Sequence, residues 1–159
     1  MGERRVLSEQ ELVDLATGLR SLDWSWDPDE VGRIAEKFGW KVESRRSLSI
    51  RLNSGFGTGY ADLTEAGTVE QISVPVCVPE SAETAEGRAY LQDAFARAVA
   101  AFTRALGEPT ERIPGESAEV RWRVDGATIG VKRLSVQVNV YIATNDYIEY
   151  IDRAAEQGL

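Results

Sequence analysis

A chain of 159 residues, 43% apolar and 28% charged, is long enough to bury one core without disulfide or metal staples and too short for two ordinary domains, so residues 1–159 are expected to fold as one. No apolar stretch reaches the ~20 residues that cross a bilayer, and residues 1–7 carry two arginines but no hydrophobic segment or small-residue cleavage site, so a cytoplasmic chain without a membrane partner is expected. With 26 acidic against 18 basic residues the net charge of -8 opposes a nucleic-acid backbone and suits a basic protein surface or simple solubility.

Ser8 followed by Glu11 is a capping-box pattern, and Leu12, Leu15, Ala16, Leu19 and Leu22 share one face, so the spacing predicts a helix over residues 8–22. A second short helix follows, with Asp27 as N-cap, Pro28 at its first position, Val31, Ile34, Ala35 and Phe38 as its apolar stripe, and Gly39 as its stop. From Trp40 the period changes to alternation, and residues 40–44, 48–53, 58–63 and 69–78 read as an antiparallel meander. The longest helix is expected over residues 82–106, stopped by Gly107 and Pro109. A polar loop over residues 108–118 leads to a hairpin, residues 119–124 and 127–132, closed by Asp125-Gly126. Val136, Val138, Val140 and Ile142 alternate with Gln137, Asn139 and Tyr141, the pattern of a half-buried strand. Thr144 or Asn145 then caps a last helix ending at Gly158. The fold class is α+β, a single-domain sandwich in which two meanders complete one twisted, mainly antiparallel sheet packed against the long central helix, with two N-terminal helices and one C-terminal helix.

Rare residues narrow the chemistry. Histidine is absent, which removes Ser-His-Asp and Cys-His catalysis and most zinc sites, and no cofactor or metal is expected. Cys77, the one cysteine, lies in a β-branched run and reads as buried packing. Ser54-Gly55-Phe56-Gly57-Thr58-Gly59 resembles a phosphate cradle in composition, but a strand follows it where a helix N-terminus is needed, so a turn or bulge is expected. Gly115-Glu116-Ser117 lacks both the closing glycine of a nucleophile elbow and a base for Ser117.

The most unusual stretch is Asp23-Trp24-Ser25-Trp26-Asp27-Pro28-Asp29-Glu30. One reading is a partner surface in which Trp24 and Trp26 anchor and Asp23, Asp27, Asp29 and Glu30 face a basic protein. The other has Asp27 capping a helix, Asp29 and Glu30 complementing its dipole, and the indoles closing the core. Arg121 and Arg123 flank Trp122 on one strand, so both share a face that holds an anion, holds a partner carboxylate, or is simply solvated.

Leu22-Asp23-Trp24-Ser25-Trp26, Ser54-Gly55-Phe56-Gly57, and Leu106-Gly107-Glu108-Pro109-Thr110-Glu111-Arg112 with Arg121-Trp122-Arg123 resemble an uncharacterised family of small actinobacterial proteins classed as a domain of unknown function. The element order also resembles type III secretion chaperones and sensory-transduction relatives, with an additional N-terminal helix and an additional strand in each meander; that resemblance implies a compact α/β sandwich and leaves monomer and homodimer open. The resulting functional expectation is a non-enzymatic protein-binding module, foremost an immunity-type protein that neutralises a cognate toxin. A secretion-chaperone-like role is the alternative, and a histidine-independent enzyme comes third.

Overall fold

The structure, a computed structural model, describes residues 6–158; residues 1–5, on which the expectation of no secretory leader largely rests, lie outside the described residues. The capping box is present: Ser8 Oγ accepts from Glu11 N–H at 3.1 Å, and Glu11 Oε1 accepts from Ser8 N–H at 2.9 Å. Helix α1, Glu9–Arg20, buries Leu12, Leu15, Ala16 and Leu19. The second helix starts differently from its expectation. Asp27 caps a 3-10 turn, Pro28–Glu30, which passes into α2, Val31–Phe38, and Gly39 at φ +75 ends it.

Four strands follow, β1 Lys41–Arg45, β2 Ser49–Asn53, β3 Thr58–Leu63 and β4 Val69–Pro75; then come α3, Ala85–Leu106, and β5 Glu111–Ile113, β6 Glu119–Val124, β7 Ala127–Arg133, β8 Val138–Thr144 and α4 Asn145–Glu156. They form one open sheet in the order β1-β2-β3-β4-β8-β7-β6-β5 with every pairing antiparallel, so the two meanders join where β4 meets β8. The class is α+β.

Register assigns the faces. Ile72, Val74, Trp122, Ile129, Val131, Val140 and Ile142 lie on one face, in one core with Leu91, Ala98 and Phe102 of α3. Each such large apolar side chain contributes on the order of 1.5–3 kcal/mol by leaving water. Helix α1 packs along α3, whose buried Ala94, Ala98 and Ala101 take up little room. The opposite face carries Arg51, Tyr60, Asp62, Ser73, Arg121, Lys132 and Asn139.

Three expectations are corrected. The loop over 108–118 contains β5, a three-residue polar edge strand that pairs with β6 and has no apolar alternation to announce it. The strand ending at residue 78 stops at Pro75, whose missing N–H breaks the ladder; beyond it Val76 N–H still reaches Val138 O at 3.0 Å. Strand β8 is buried on both faces from Val138 to Ala143, because α4 lies across its polar side and seats Ile148 against Tyr141 and Ala143.

Candidate functional site

The acidic-aromatic segment forms a braced strap between α1 and α2. Trp24 and Trp26 are in contact with ring centroids 4.6 Å apart and ring planes tilted by 35°, and both are half-buried against the core. Trp26 sits at φ +64, a left-handed conformation that a bulky side chain rarely adopts, and its carbonyl accepts from Val69 N–H at 2.8 Å. Asp27 Oδ1 accepts from Asp29 N–H at 2.9 Å. The Glu30 carboxylate accepts from Ser25 N–H at 3.1 Å, from the Ser25 hydroxyl and from Arg33 at 2.8 Å; these bonds, the Ser25 hydroxyl first, hold its pKa below the usual value. Asp29 pairs with Arg45 at 2.8 Å across exposed surface. Asp23, Asp27 and Asp29 face solvent. Among the described residues, Trp24 Nε1 is a buried N–H without an acceptor.

Arg121 and Arg123 do share a face, as alternation requires, but their surroundings differ. Arg121 is 5% exposed: its Nε donates to Glu119 at 2.9 Å, and one terminal nitrogen donates to Asp152 of α4 at 2.9 Å and to Glu111 of β5 at 3.2 Å. Burial alone would lower the guanidinium pKa, yet its bonds to Asp152 and Glu119 raise it. Tyr141 donates to the same Glu119, and burial, then the Glu119 charge, pushes its phenol well above the usual range. Gly130 lies directly beneath the Tyr141 ring, where a Cβ would collide with it. Arg121 is thus a knot inside the protein and is not available to a partner. Arg123 is exposed, with its backbone N–H bonded to Thr110 Oγ1 at 2.8 Å.

A solvent-open groove of about 330 Å³ runs between α1, the end of α2 and the β2–β3 turn. Phe38 stacks on Trp40 at 4.7 Å, with Gly39 between them turning the chain out of the helix. Gly18 lets the Phe38 ring lie on α1, since a Cβ there would stand 2.6 Å from the ring. The glycine-rich turn supplies the other wall. Ser54 Oγ donates to Pro75 O at 2.7 Å, Gly55 N–H donates to Asn53 Oδ1 at 2.8 Å, and the φ values of +92 at Gly55 and +149 at Gly57 turn Phe56 inward to 7% exposure. Val74 and Pro75 also line the groove; Glu11, Asp14 and Lys37 bring charge to it.

The family model for the Family of unknown function (DUF6301) matches residues 10–144. The chain belongs to the DUF6301 family. The part matched to DUF6301 contains the Trp24–Trp26 strap, the glycine-rich turn and both arginines, and it ends at the N-cap of α4. No curated protein and no solved structure matches the chain. In this DUF6301 member, sequence reasoning missed the roles of Glu119, Tyr141 and Asp152, because the Arg121 knot joins residues from four elements, β5, β6, β8 and α4. It also missed the groove, for which Phe38-Gly39-Trp40 was the available signal, two aromatics held on either side of a helix-ending glycine.

Proposed function

We propose that this chain is a non-enzymatic protein-binding module of the immunity type, acting in the cytoplasm and covering a basic patch of a cognate toxin. The observation that carries this reading is the strap. Its three aspartates are exposed, while its indoles, the Asp27 cap, the Glu30–Ser25 bonds and the Trp26–Val69 bond fix the backbone beneath them. A rigid acidic display loses little conformational entropy on binding and speeds encounter with a cationic surface. Asp29 exchanges its exposed Arg45 contact for a partner cation at little cost, since such surface pairs are worth ~0–1 kcal/mol.

The test pairs the purified chain with the proteins encoded by its neighbouring genes. One of them is expected to form a one-to-one complex by calorimetry and to lose toxicity on co-expression, and Asp23→Lys/Asp29→Lys is expected to weaken the complex while circular dichroism stays native. Failure of every neighbour to bind, or undiminished binding by the charge-reversed variant, rejects the reading. A dimer that takes up an unfolded exported chain, and no folded domain, points to the secretion-chaperone alternative.

A further inference from the structure

We infer that α4 is a lid, hinged at Thr144, that lifts from the otherwise folded sheet and uncovers the Arg121 guanidinium. The helix is thinly seated. Of its 12 residues only Ile148 is buried, whereas α1, of the same length, buries Leu12, Leu15, Ala16 and Leu19. Ile148 rests on Tyr141 and Ala143, with Tyr147 and Ile151 half-buried beside it. Beyond the Thr144 cap, its side chains hold the sheet by two polar ties among the described residues. Thr128 Oγ1 donates to Asn145 Oδ1 at 2.7 Å, and a terminal nitrogen of Arg121 donates to Asp152 Oδ2 at 2.9 Å. Toward the β3–β4 turn, a solvent-open hollow of about 260 Å³ separates Tyr147 and Tyr150 from Thr68 and Glu70. Local opening concentrates in elements with so few buried apolar contacts. A free helix of about this length is marginal in water, so a lifted α4 melts and its own amides report the opening. No loop has to rearrange, because Thr144 is both the last residue of β8 and the N-cap of α4.

The floor beneath the lid is built without it. Tyr141 lies over Gly130 and donates to Glu119, and Arg121 Nε donates to the same carboxylate. Lifting α4 exchanges one bond of Arg121, that to Asp152, for water. It thereby opens a terminal nitrogen of a side chain that is 6% exposed in the closed form. Arg123, two residues along the same strand and face, is exposed with or without the lid.

The lid does not depend on the protein-binding reading, and its test needs no partner. Hydrogen exchange of the full chain, read by mass spectrometry, is paired with labelling by p-hydroxyphenylglyoxal, a dicarbonyl that attacks accessible guanidinium groups. Amides of α4 are expected to exchange about a hundredfold or more faster than those of α3 and β7, which open only with the whole domain. Ile148→Ala, which empties the seat, should speed both α4 exchange and Arg121 labelling about tenfold. Asp152→Asn, which removes a half-exposed tie, should speed both about threefold. Labelling of Arg123 is expected to stay at the wild-type rate in each variant. Exchange of α4 as slow as that of β7 would mean that helix and sheet open together, and overturns the lid. Arg121 labelling that stays constant while α4 exchange quickens overturns it as well. So does an α4 whose exchange Asp152→Asn leaves unchanged, whether or not Ile148→Ala folds.

Discussion

Replacing Arg121 by alanine removes the one guanidinium that three carboxylates share. Glu119, 7% exposed, would keep the Tyr141 hydroxyl and a distant Lys132 ammonium at 4.0 Å, while Glu111 and Asp152 at the rim would turn to water. Breaking a buried pair from one side leaves an uncompensated charge and costs about 3–5 kcal/mol. In a domain of this size each kcal/mol moves the midpoint by roughly 2–4 °C, so the melting temperature should fall by about 6–20 °C. Asp152→Asn, which removes a contact from a carboxylate 44% exposed, should cost no more than about 1 kcal/mol. Urea titrations followed by circular dichroism would measure these two variants together with Glu119→Ala and Arg121→Ala/Glu119→Ala. The double variant should lose less than the sum of its single changes, because the second removes the charge that the first stranded. A loss under about 1 kcal/mol for Arg121→Ala, or strict additivity in the cycle, would refute the assignment of the knot as a buried charge pair.

Gly18→Ala should destabilise by about 1–2 kcal/mol in chemical denaturation even though alanine is the better helix former, because its Cβ would stand 2.6 Å from the Phe38 ring. Burial raises the pKa of Asp62 and, with the Asp62 charge as a second cause, that of Glu70. A raised carboxylate pKa means that the folded state holds its proton more tightly than the unfolded one, so this contribution is present in full below the ordinary carboxylate range and is lost as pH rises through the folded value. Asp62→Asn should therefore gain stability over the wild type on going from pH 3 to pH 7, read from urea midpoints at both. Ser8→Ala should cost about 0.5–2 kcal/mol, seen as a lower thermal midpoint, since both bonds of the capping box depend on Ser8 holding its position.

Most elements were legible where one local rule sufficed. Ser8 with Glu11, Gly39 after Phe38, and Asp125-Gly126 each fix an element end through a few neighbouring atoms, and the structure places helix or hairpin ends there. What was hidden depends on contacts between residues far apart in sequence. Strand β5 exists because Arg112 and its neighbours meet β6, and β8 is buried twice because α4 folds back on it; neither fact is carried by the strand's own residues. The same separation hid the site chemistry. Alternation alone put Arg121 and Arg123 on one face, but only the positions of Asp152 and Tyr141 distinguish the enclosed guanidinium from the solvated one. The glycine-rich turn illustrates the converse. Its sequence context ruled out a phosphate cradle, and its backbone now serves to aim Phe56.

The strand order also has a kinetic consequence. Six of the sheet's seven pairings join strands adjacent in sequence, and only the β4–β8 ladder bridges a long gap, from Gln71–Pro75 to Asn139–Ala143. Nearby hairpins zip quickly, whereas this seam must wait until the intervening helix and second meander have brought its halves within reach, so its closure should limit the rate of folding. Truncating Val140 to alanine should then slow refolding more than the equivalent change at Ile50 within the first meander, and a stopped-flow comparison giving the reverse order would place the barrier elsewhere.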